Sequence, residues 1–212
     1  MPHISGLSDA EIKQLEVDNG FRQFDLATDV IETFLDRDRP FALHPSLLQQ
    51  LQAVAVNGIE AHPGDWRSGT ALITESDHSP PGPHLIGSLV QELCDYINDN
   101  WHEQTAFHLA SYIMWRLNWI HPFSDGNGRT SRMLSYIVLC IKLGYLLPGS
   151  PTIPQQIEKN RDPYYNALKA ADNALVQSGG FDFAEMEGML KEMLANQLLN
   201  VIEMADGGKE AT

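Results

Sequence analysis

Two strongly apolar helical segments separated by a short polar segment restrict the fold of this sequence more than any other feature. Residues 106–120 are apolar on nearly all sides of a helix, and residues 133–143 are almost as apolar. A helix that is apolar all round is normally buried at the centre of a protein. The pattern therefore predicts an all-α fold, a helical bundle around a central buried pair of helices.

The polar segment between these helices, residues 121–132, reads HPFSDGNGRTSR. Pro122 disfavours a helical conformation for His121, so the first helix should end there. Gly126 and Gly128 are poor residues for continuing a helix. The apolar pattern then requires a new helix to begin near residues 128–130. A loop and a helix N-terminus are thus predicted between the two buried helices.

The side chains of this loop are those that a phosphate-binding site requires. Free N–H groups at a helix N-terminus favour an anion, and Asp125 is a hard oxygen ligand suited to Mg²⁺. Arg129 and Arg132 are three residues apart, so on a helix they share a face and could both bind phosphate. His121 can accept a proton from a hydroxyl. Each residue alone has an ordinary explanation, but together they predict a phosphate-handling site.

The rest of the chain is also predominantly helical. Ser8 and Glu11 form a capping-box pattern at the start of a first helix. Residues 66–74 could form two short strands, the only β structure that we expect. Further helices are predicted at about residues 24–35, 44–57, 85–98, 163–176 and 183–204. The predicted organisation is an N-terminal helical segment (1–40), a core (41–182), a C-terminal helix (183–204) and a disordered tail (205–212).

Composition and charge narrow the classes of function. Twenty-eight acidic residues against 14 basic ones give a net charge of −14, which argues against a general nucleic-acid-binding protein. One bound nucleotide needs only local positive charge. Cys94 and Cys140 lie in apolar stretches, which favours buried thiols over a disulfide, and neither has a CxxC partner for a zinc site. Neither a signal peptide nor a membrane span is predicted, so we expect a cytoplasmic protein.

The segment 121–132 resembles the signature of the Fic-domain family, His-x-Phe-x-(Asp/Glu)-Gly-Asn-Gly-Arg-x-x-Arg, at every specified position. The resemblance extends over roughly residues 20–180. It includes a Gly-x-x-Arg pattern at residues 64–67, ahead of a segment similar to the family's β-hairpin flap. It also includes a downstream stretch, residues 161–171. The family implies a Fic-type helical bundle with a short β-hairpin flap, and transfer of AMP from ATP to a protein hydroxyl.

The resemblance also implies a role for each motif residue. His121 would deprotonate the target hydroxyl, Phe123 would anchor the loop in the core, and Asp125 would hold Mg²⁺ against the phosphates. Tyr165 and Asp172 would lie near the nucleoside, although Asp172 stands where similar sequences carry Asn. The residues implied to bind phosphate are Gly126, Asn127, Gly128, Arg129 and Arg132.

The flap would bind an extended segment of the target protein by β-augmentation. The residues implied in this docking are Trp66, Arg67, Ser68, Gly69, Thr70, Ala71 and Leu72. The family also has an inhibitory helix with the pattern Ser/Thr-x-x-x-Glu-Gly/Asn, whose Glu pairs with the second motif arginine. Residues 28–33 match its first five positions, which makes Glu32 a candidate inhibitory residue; an ordinary amphipathic helix would also explain it.

Three functions stay open at this point. The first is an adenylyltransferase that uses ATP and Mg²⁺ and acts on protein hydroxyls. The second is transfer of phosphate or of another nucleotide; the intact Gly-Asn-Gly favours AMP, whereas Asp172 keeps another donor open. The third is a binding module that keeps the fold without turnover, or whose site is permanently occluded. Oligomeric state is also left open, including a homo-oligomer.

Overall fold

Eight α-helices account for most of residues 6–73 and 78–207, which are the residues described by the computed structural model. The helices are α1 Asp9–Leu35, α2 Pro45–Ala55, α3 Ile86–Asp99, α4 Ala106–Ile120, α5 Asn127–Leu143, α6 Ile153–Lys159, α7 Asp162–Ser178 and α8 Ala184–Gly207. A single 3-10 turn, Pro83–Leu85, precedes α3. The predicted all-α class is confirmed.

The two apolar helices form the centre of the bundle, as predicted. α4 and α5 pack most extensively against each other. α1, α2 and α6 cover α5, whereas α3, α7 and α8 cover α4. Leu109, Ile113 and Leu117 of α4 are fully buried, as are Leu134 and Ile137 of α5. The loop that joins the two helices is therefore held between the most buried elements of the protein.

The N-terminal segment forms one continuous helix instead of the two that the sequence suggested. α1 passes through Gly20, which lies on an exposed side. The amide of Asn19 donates to the carbonyl of Asn57 at 2.8 Å, and the amide of Gln23 donates to the carbonyl of Leu51 at 2.8 Å. These buried contacts hold the helix on both sides of the glycine, and they offset its low helix propensity.

The predicted β-hairpin is not seen. Residues 66–73 are irregular, and Thr74 lies outside the described residues. The backbone N–H of Arg67 donates to the carbonyl of Pro122 at 2.9 Å, so this part of the segment is bonded to the motif loop. We keep the name flap for residues 66–73, without implying strands.

Other parts of the chain refine the predicted boundaries. α6 was not predicted, because it is short, although Thr152 and Gln155 form a capping box at its start. α8 continues to Gly207, three residues into the predicted tail, and residues 208–212 lie outside the described range. Cys94 and Cys140 are buried free thiols. Among the described residues, none of the helices has the length and apolar character needed to cross a membrane.

Candidate active site

His121 ends α4 in a left-handed conformation. Its backbone angles are φ 50° and ψ 59°, and its N–H donates to the carbonyl of Leu117 at 2.9 Å. A non-glycine residue at positive φ is uncommon and persists only where its surroundings fix it. Pro122 follows directly, so the chain must leave the helix at this residue. The turn points the motif loop away from α4 and toward the start of α5.

A cavity of about 350 Å³ opens beside His121. Its walls come mainly from α4 and α7, and they combine aromatic rings with a few polar groups. Tyr165 and Asp172, both predicted to lie near a nucleoside, are among them. The lining residues are Ile73, His78, Trp115, Asn118, Trp119, His121, Tyr165, Leu168, Lys169 and Asp172.

The surroundings of His121 keep its imidazole neutral at physiological pH. Burial lowers the pKa of His121 to about 4, and the nearby charges of Arg67 and His78 act in the same direction, whereas the Asn118 carbonyl and Asp125 act against it. Nδ1 is buried and makes no hydrogen bond of regular geometry with the described residues. A neutral imidazole is the form that accepts a proton.

Asn127 holds the motif loop in shape through its side chain. Its Oδ1 accepts from the N–H of Phe123 at 3.0 Å, and its Nδ2 donates to the carbonyl of the same residue at 2.9 Å. Phe123 is fully buried, as the resemblance implied, and packs against Trp66 with ring centroids 4.8 Å apart and the rings tilted by 35°. The Asn127 side chain is thus used inside the loop, and only backbone groups of this residue are left for an anion.

Gly126 is required by the geometry of the loop. Its φ is 79°, and a Cβ atom on it would lie 2.9 Å from Cγ1 of Val56. A larger residue would therefore be strained and would also collide with the end of α2. The backbone can turn tightly here, and Asn127 and Gly128 become the first residues of α5. Their position at a helix N-terminus is the one that favours bound anions.

Arg129 is engaged by three separate parts of the chain. It forms ion pairs with Asp125 at 2.9 Å and with Glu16 of α1 at 3.4 Å. It also donates to the carbonyl of Ala55 at 3.1 Å. The second oxygen of Asp125 accepts from the N–H of Gly126 at 2.6 Å. The acid and the first arginine of the motif are therefore paired with each other.

Arg132 points toward α6 and has a different partner. Its guanidinium lies 2.6 Å from a carboxylate oxygen of Glu158, and its side chain is only 10% exposed. Glu158 also pairs with Arg161. Burial lowers the pKa of Arg132, while the Glu158 carboxylate raises it. The two motif arginines lie on one helix, as expected, but they are held by different carboxylates.

Glu32, the candidate inhibitory residue, lies on an exposed part of α1. Within the described part of the chain it makes no ion pair with Arg132, whose carboxylate partner is Glu158. Sequence reasoning missed both Glu16 and Glu158. Neither carries a local signal, because each reaches its arginine only through the packing of helices that are distant along the chain.

Trp115 and Asp172 form a second polar contact that the sequence did not reveal. The indole N–H donates to Oδ1 of Asp172 at 2.8 Å. Nearby, the amide of Asn118 donates to Tyr164 at 2.7 Å and to Ser131 at 2.8 Å. These bonds fix the cavity wall beside His121. One carboxylate oxygen of Asp172 is used by the indole, which leaves the other to receive a donor from a ligand.

The flap residues divide into anchors and exposed groups. Trp66 packs on Phe123, and Arg67 is buried against the motif loop. The docking role implied for Arg67 stays a prediction, and its buried side chain leaves little surface for direct contact with a target. Ala71 is half-buried, whereas the remaining flap residues of the predicted set are exposed: Ser68, Gly69, Thr70 and Leu72.

The residues present suit a magnesium ion only in part. The described residues contain no group of three or more His, Cys, Asp or Glu side chains arranged to hold a metal. Mg²⁺ at nucleotide sites, however, keeps several waters and takes one or two carboxylates together with phosphate oxygens. Asp125, 30% exposed and two residues before the start of α5, fits that kind of site.

The region that contains residues 121–132 is similar in sequence to known proteins. Residues 40–139 match the Fic/DOC family. The chain is 31% identical over 144 residues to "Protein adenylyltransferase Fic" of Drosophila willistoni, covering 61% of this chain and 27% of that protein. It is 29% identical over 163 residues to the protein of the same name from Aedes aegypti, covering 76% of this chain and 30% of that one. The chain thus spans under a third of the length of these relatives.

The fold has matches among solved structures. A Fic domain containing signaling protein from Bacteroides thetaiotaomicron superimposes with a TM-score of 0.69 at 21% identity, covering 96% of this chain and 76% of that one. At this level of identity the match concerns the fold. This chain therefore shares the overall fold of that protein.

Proposed function

Because the chain belongs to the Fic/DOC family, we propose that it transfers AMP from ATP to a Ser, Thr or Tyr hydroxyl of a target protein. One observation carries the proposal: the half-buried imidazole of His121 borders an open cavity at the start of the loop that leads into α5, and burial lowers its pKa. A histidine, a cavity and a helix N-terminus of the kind that favours anions thus lie within a short distance along the chain, which supports the proposal. The relatives named protein adenylyltransferase support this choice of reaction.

The chemical step follows from that arrangement. The target hydroxyl oxygen forms a bond to the α-phosphorus of ATP, and the bond from that phosphorus to the pyrophosphate oxygen breaks. Nε2 of His121 takes the hydroxyl proton, and pyrophosphate leaves with the electron pair of the broken bond. A positioned base of this kind contributes about 10²–10⁴-fold to the rate. The backbone N–H groups at the start of α5 stabilise charge on the phosphates.

Asp125, Arg129 and Arg132 would bind the charged part of the nucleotide. Asp125 would hold Mg²⁺, which, when bound, neutralises phosphate charge. The two arginines would exchange their present carboxylate partners for phosphate oxygens, which accept charge-assisted hydrogen bonds of comparable strength. Tyr165 and Asp172 would bind the nucleoside in the cavity. The exposed flap residues, with Leu72 at 89% exposure, would contact the target protein.

The proposal is tested by incubating the chain with Mg²⁺ and each of four α-labelled nucleoside triphosphates. Label on protein with ATP alone, lost in His121→Ala, is the expected result. Tyr145→Phe provides a matched control, because this half-exposed aromatic residue follows α5 and is not part of the site. Label from another triphosphate would support a different donor instead. Absence of transfer from all four would contradict the proposal.

A second candidate function is transfer of another nucleotide. Asp172, which bonds to Trp115, keeps it open, because a carboxylate can accept a hydrogen bond from the exocyclic amino group of any base that carries one, and adenine is only one of these. A third, a permanently occluded binding module, is favoured by the internal pairing of both arginines.

The role of Glu32 as an inhibitor stays a prediction, and since Glu32 is exposed, α1 would have to move for it to act. Raised auto-modification in Glu32→Gly would support it, and unchanged activity would remove it.

A further inference from the structure

The guanidinium of Arg67 is surrounded by backbone carbonyls. Nε donates to the carbonyl of His121 at 2.6 Å, and one terminal nitrogen donates to that of Gly69 at 2.7 Å. The other terminal nitrogen donates to Pro81, and more weakly to Ile120 at 3.4 Å. The side chain therefore joins three places in the chain: the end of α4, the flap and the segment before α3.

These bonds explain how a cation can be buried here. Arg67 is only 7% exposed, and it makes no ion pair with any of the described carboxylates. Removing a charge from water is costly unless it is fully hydrogen-bonded. The end of α4 offsets part of this cost, since carbonyls at a helix C-terminus carry partial negative charge. Burial still lowers the pKa of the guanidinium.

The geometry is specific to arginine. Its planar group offers five N–H donors in fixed directions, whereas a lysine ammonium offers three from a single atom. The carbonyls of His121, Gly69 and Pro81 receive donors from three different nitrogens. A lysine at this position could keep the charge but could not bond to all three places at once.

We propose that Arg67 is a positioning residue that ties the flap and the segment before α3 to the backbone of His121. The flap anchor and the proton acceptor are then held at a set distance from each other. A target bound to the flap is presented to His121 in one geometry. This inference rests on the proposed function for its effect on transfer, but the structural connection can be measured without any activity.

The connection is tested by hydrogen exchange of backbone amides in the unmodified chain, Arg67→Gln and Arg67→Lys. We expect exchange of the hydrogen-bonded amides of Arg67 or its replacement at the start of the flap, of Leu85 in the segment before α3 and of His121 at the end of α4 to rise together by at least tenfold in both variants, with α8 unchanged. Arg116→Gln is the matched control, since this arginine of α4 pairs with Glu92 and has none of these carbonyl contacts. A rise in only one of the three segments, or in none, would overturn the proposal. If Arg67→Gln does not fold, Arg67→Lys decides by the same outcomes.

Transfer kinetics provide the second readout. We expect kcat for transfer to protein to fall about 100-fold in both variants, the size typical of a misplacement of about 1 Å, with the Kd for ATP within twofold. A loss of ATP binding equal to the loss of kcat would indicate general damage to the site and would contradict a positioning role. If the unmodified chain transfers no AMP at all, the proposed function fails, and the exchange data still decide whether Arg67 joins the three segments.

Discussion

The phosphate end and the cavity end of the site differ in how their polar groups are used. At the phosphate end, Arg129 pairs with Asp125 and Glu16, and Arg132 pairs with Glu158. At the cavity end, aromatic walls surround open space, and one oxygen of Asp172 is left for a ligand. In the proposed reaction, a nucleoside would enter a formed cavity, whereas the triphosphate would have to displace carboxylates of the protein itself.

This difference assigns separate energetic roles to the two ends. When a phosphate replaces a carboxylate that already pairs with an arginine, the free energy gained is only the difference between the two ion pairs. The phosphate end would therefore contribute less to nucleotide affinity than its charges suggest. Its groups would act mainly during the reaction, because preorganised donors are most effective at stabilising charge that develops in the transition state. In the proposed function, the cavity end would contribute mainly to the choice of the base.

The largest effect is expected from removing a cation at the phosphate end. Arg132→Ala should lower kcat/KM by about 100-fold or more, as loss of one preorganised donor typically does. The loss should be the same for every triphosphate that is used, because phosphates are common to all. Steady-state kinetics with labelled nucleotides measure it. Arg161→Ala, which removes the other partner of Glu158, should change kcat/KM by less than about threefold.

The cavity end should respond in selectivity. Asp172 can only accept a hydrogen bond, so it should favour a base with an exocyclic amino group, such as adenine, over hypoxanthine. Asp172→Asn should reduce the ratio of kcat/KM between ATP and ITP by about tenfold, the worth of roughly one hydrogen bond. Competition between the two labelled triphosphates provides the measurement. An unchanged ratio together with a uniform loss would mean that the two ends do not have separate roles.

A smaller effect is expected from releasing Arg132 without removing it. Glu158→Gln keeps the shape of the side chain but removes its charge, so phosphate would no longer compete with a carboxylate. KM for ATP should fall about three- to tenfold, equivalent to roughly 1 kcal/mol. Glu192→Gln, on the exposed side of α8, serves as the control. A rise in KM would show that Glu158 holds Arg132 in its working position.

The smallest effect concerns pH. The pKa of His121 is lowered to about 4, so the imidazole is already neutral at pH 6, and kcat/KM should be flat from pH 8 to 6 and fall only as the pH approaches 4. Between the unfolded value near 6.5 and this folded value, the unfolded state binds more protons. Stability from this group is therefore present above pH 6.5 and lost as the pH falls toward 4. Denaturant titrations of the unmodified chain and His121→Gln should differ in that window. If the free energy of unfolding depends on pH in the same way for both chains, the lowered pKa of His121 is contradicted.

The sequence predicted the central helices and the motif loop because both rest on local information. The apolar run of α4, the proline after His121 and the glycines of the loop act within a few residues of one another. The partners of the arginines could not be predicted, because Glu16 and Glu158 meet them only through packing between distant helices. The flap was predicted as a hairpin from its turn residues, yet the N–H of Arg67 bonds to Pro122 instead. Long-range hydrogen bonds of this kind leave no local pattern.

The arrangement of indole rings gives the protein a built-in optical probe. Three of its four tryptophans surround the site: Trp66 against Phe123, Trp115 bonded to Asp172, and Trp119 in the cavity wall. The fourth, Trp101, stacks on Phe41 away from the cavity. In a Trp101→Phe variant, the tryptophan emission would therefore come only from residues around the site. Its fluorescence would follow occupancy of the cavity in real time, with no dye attached and no turnover needed.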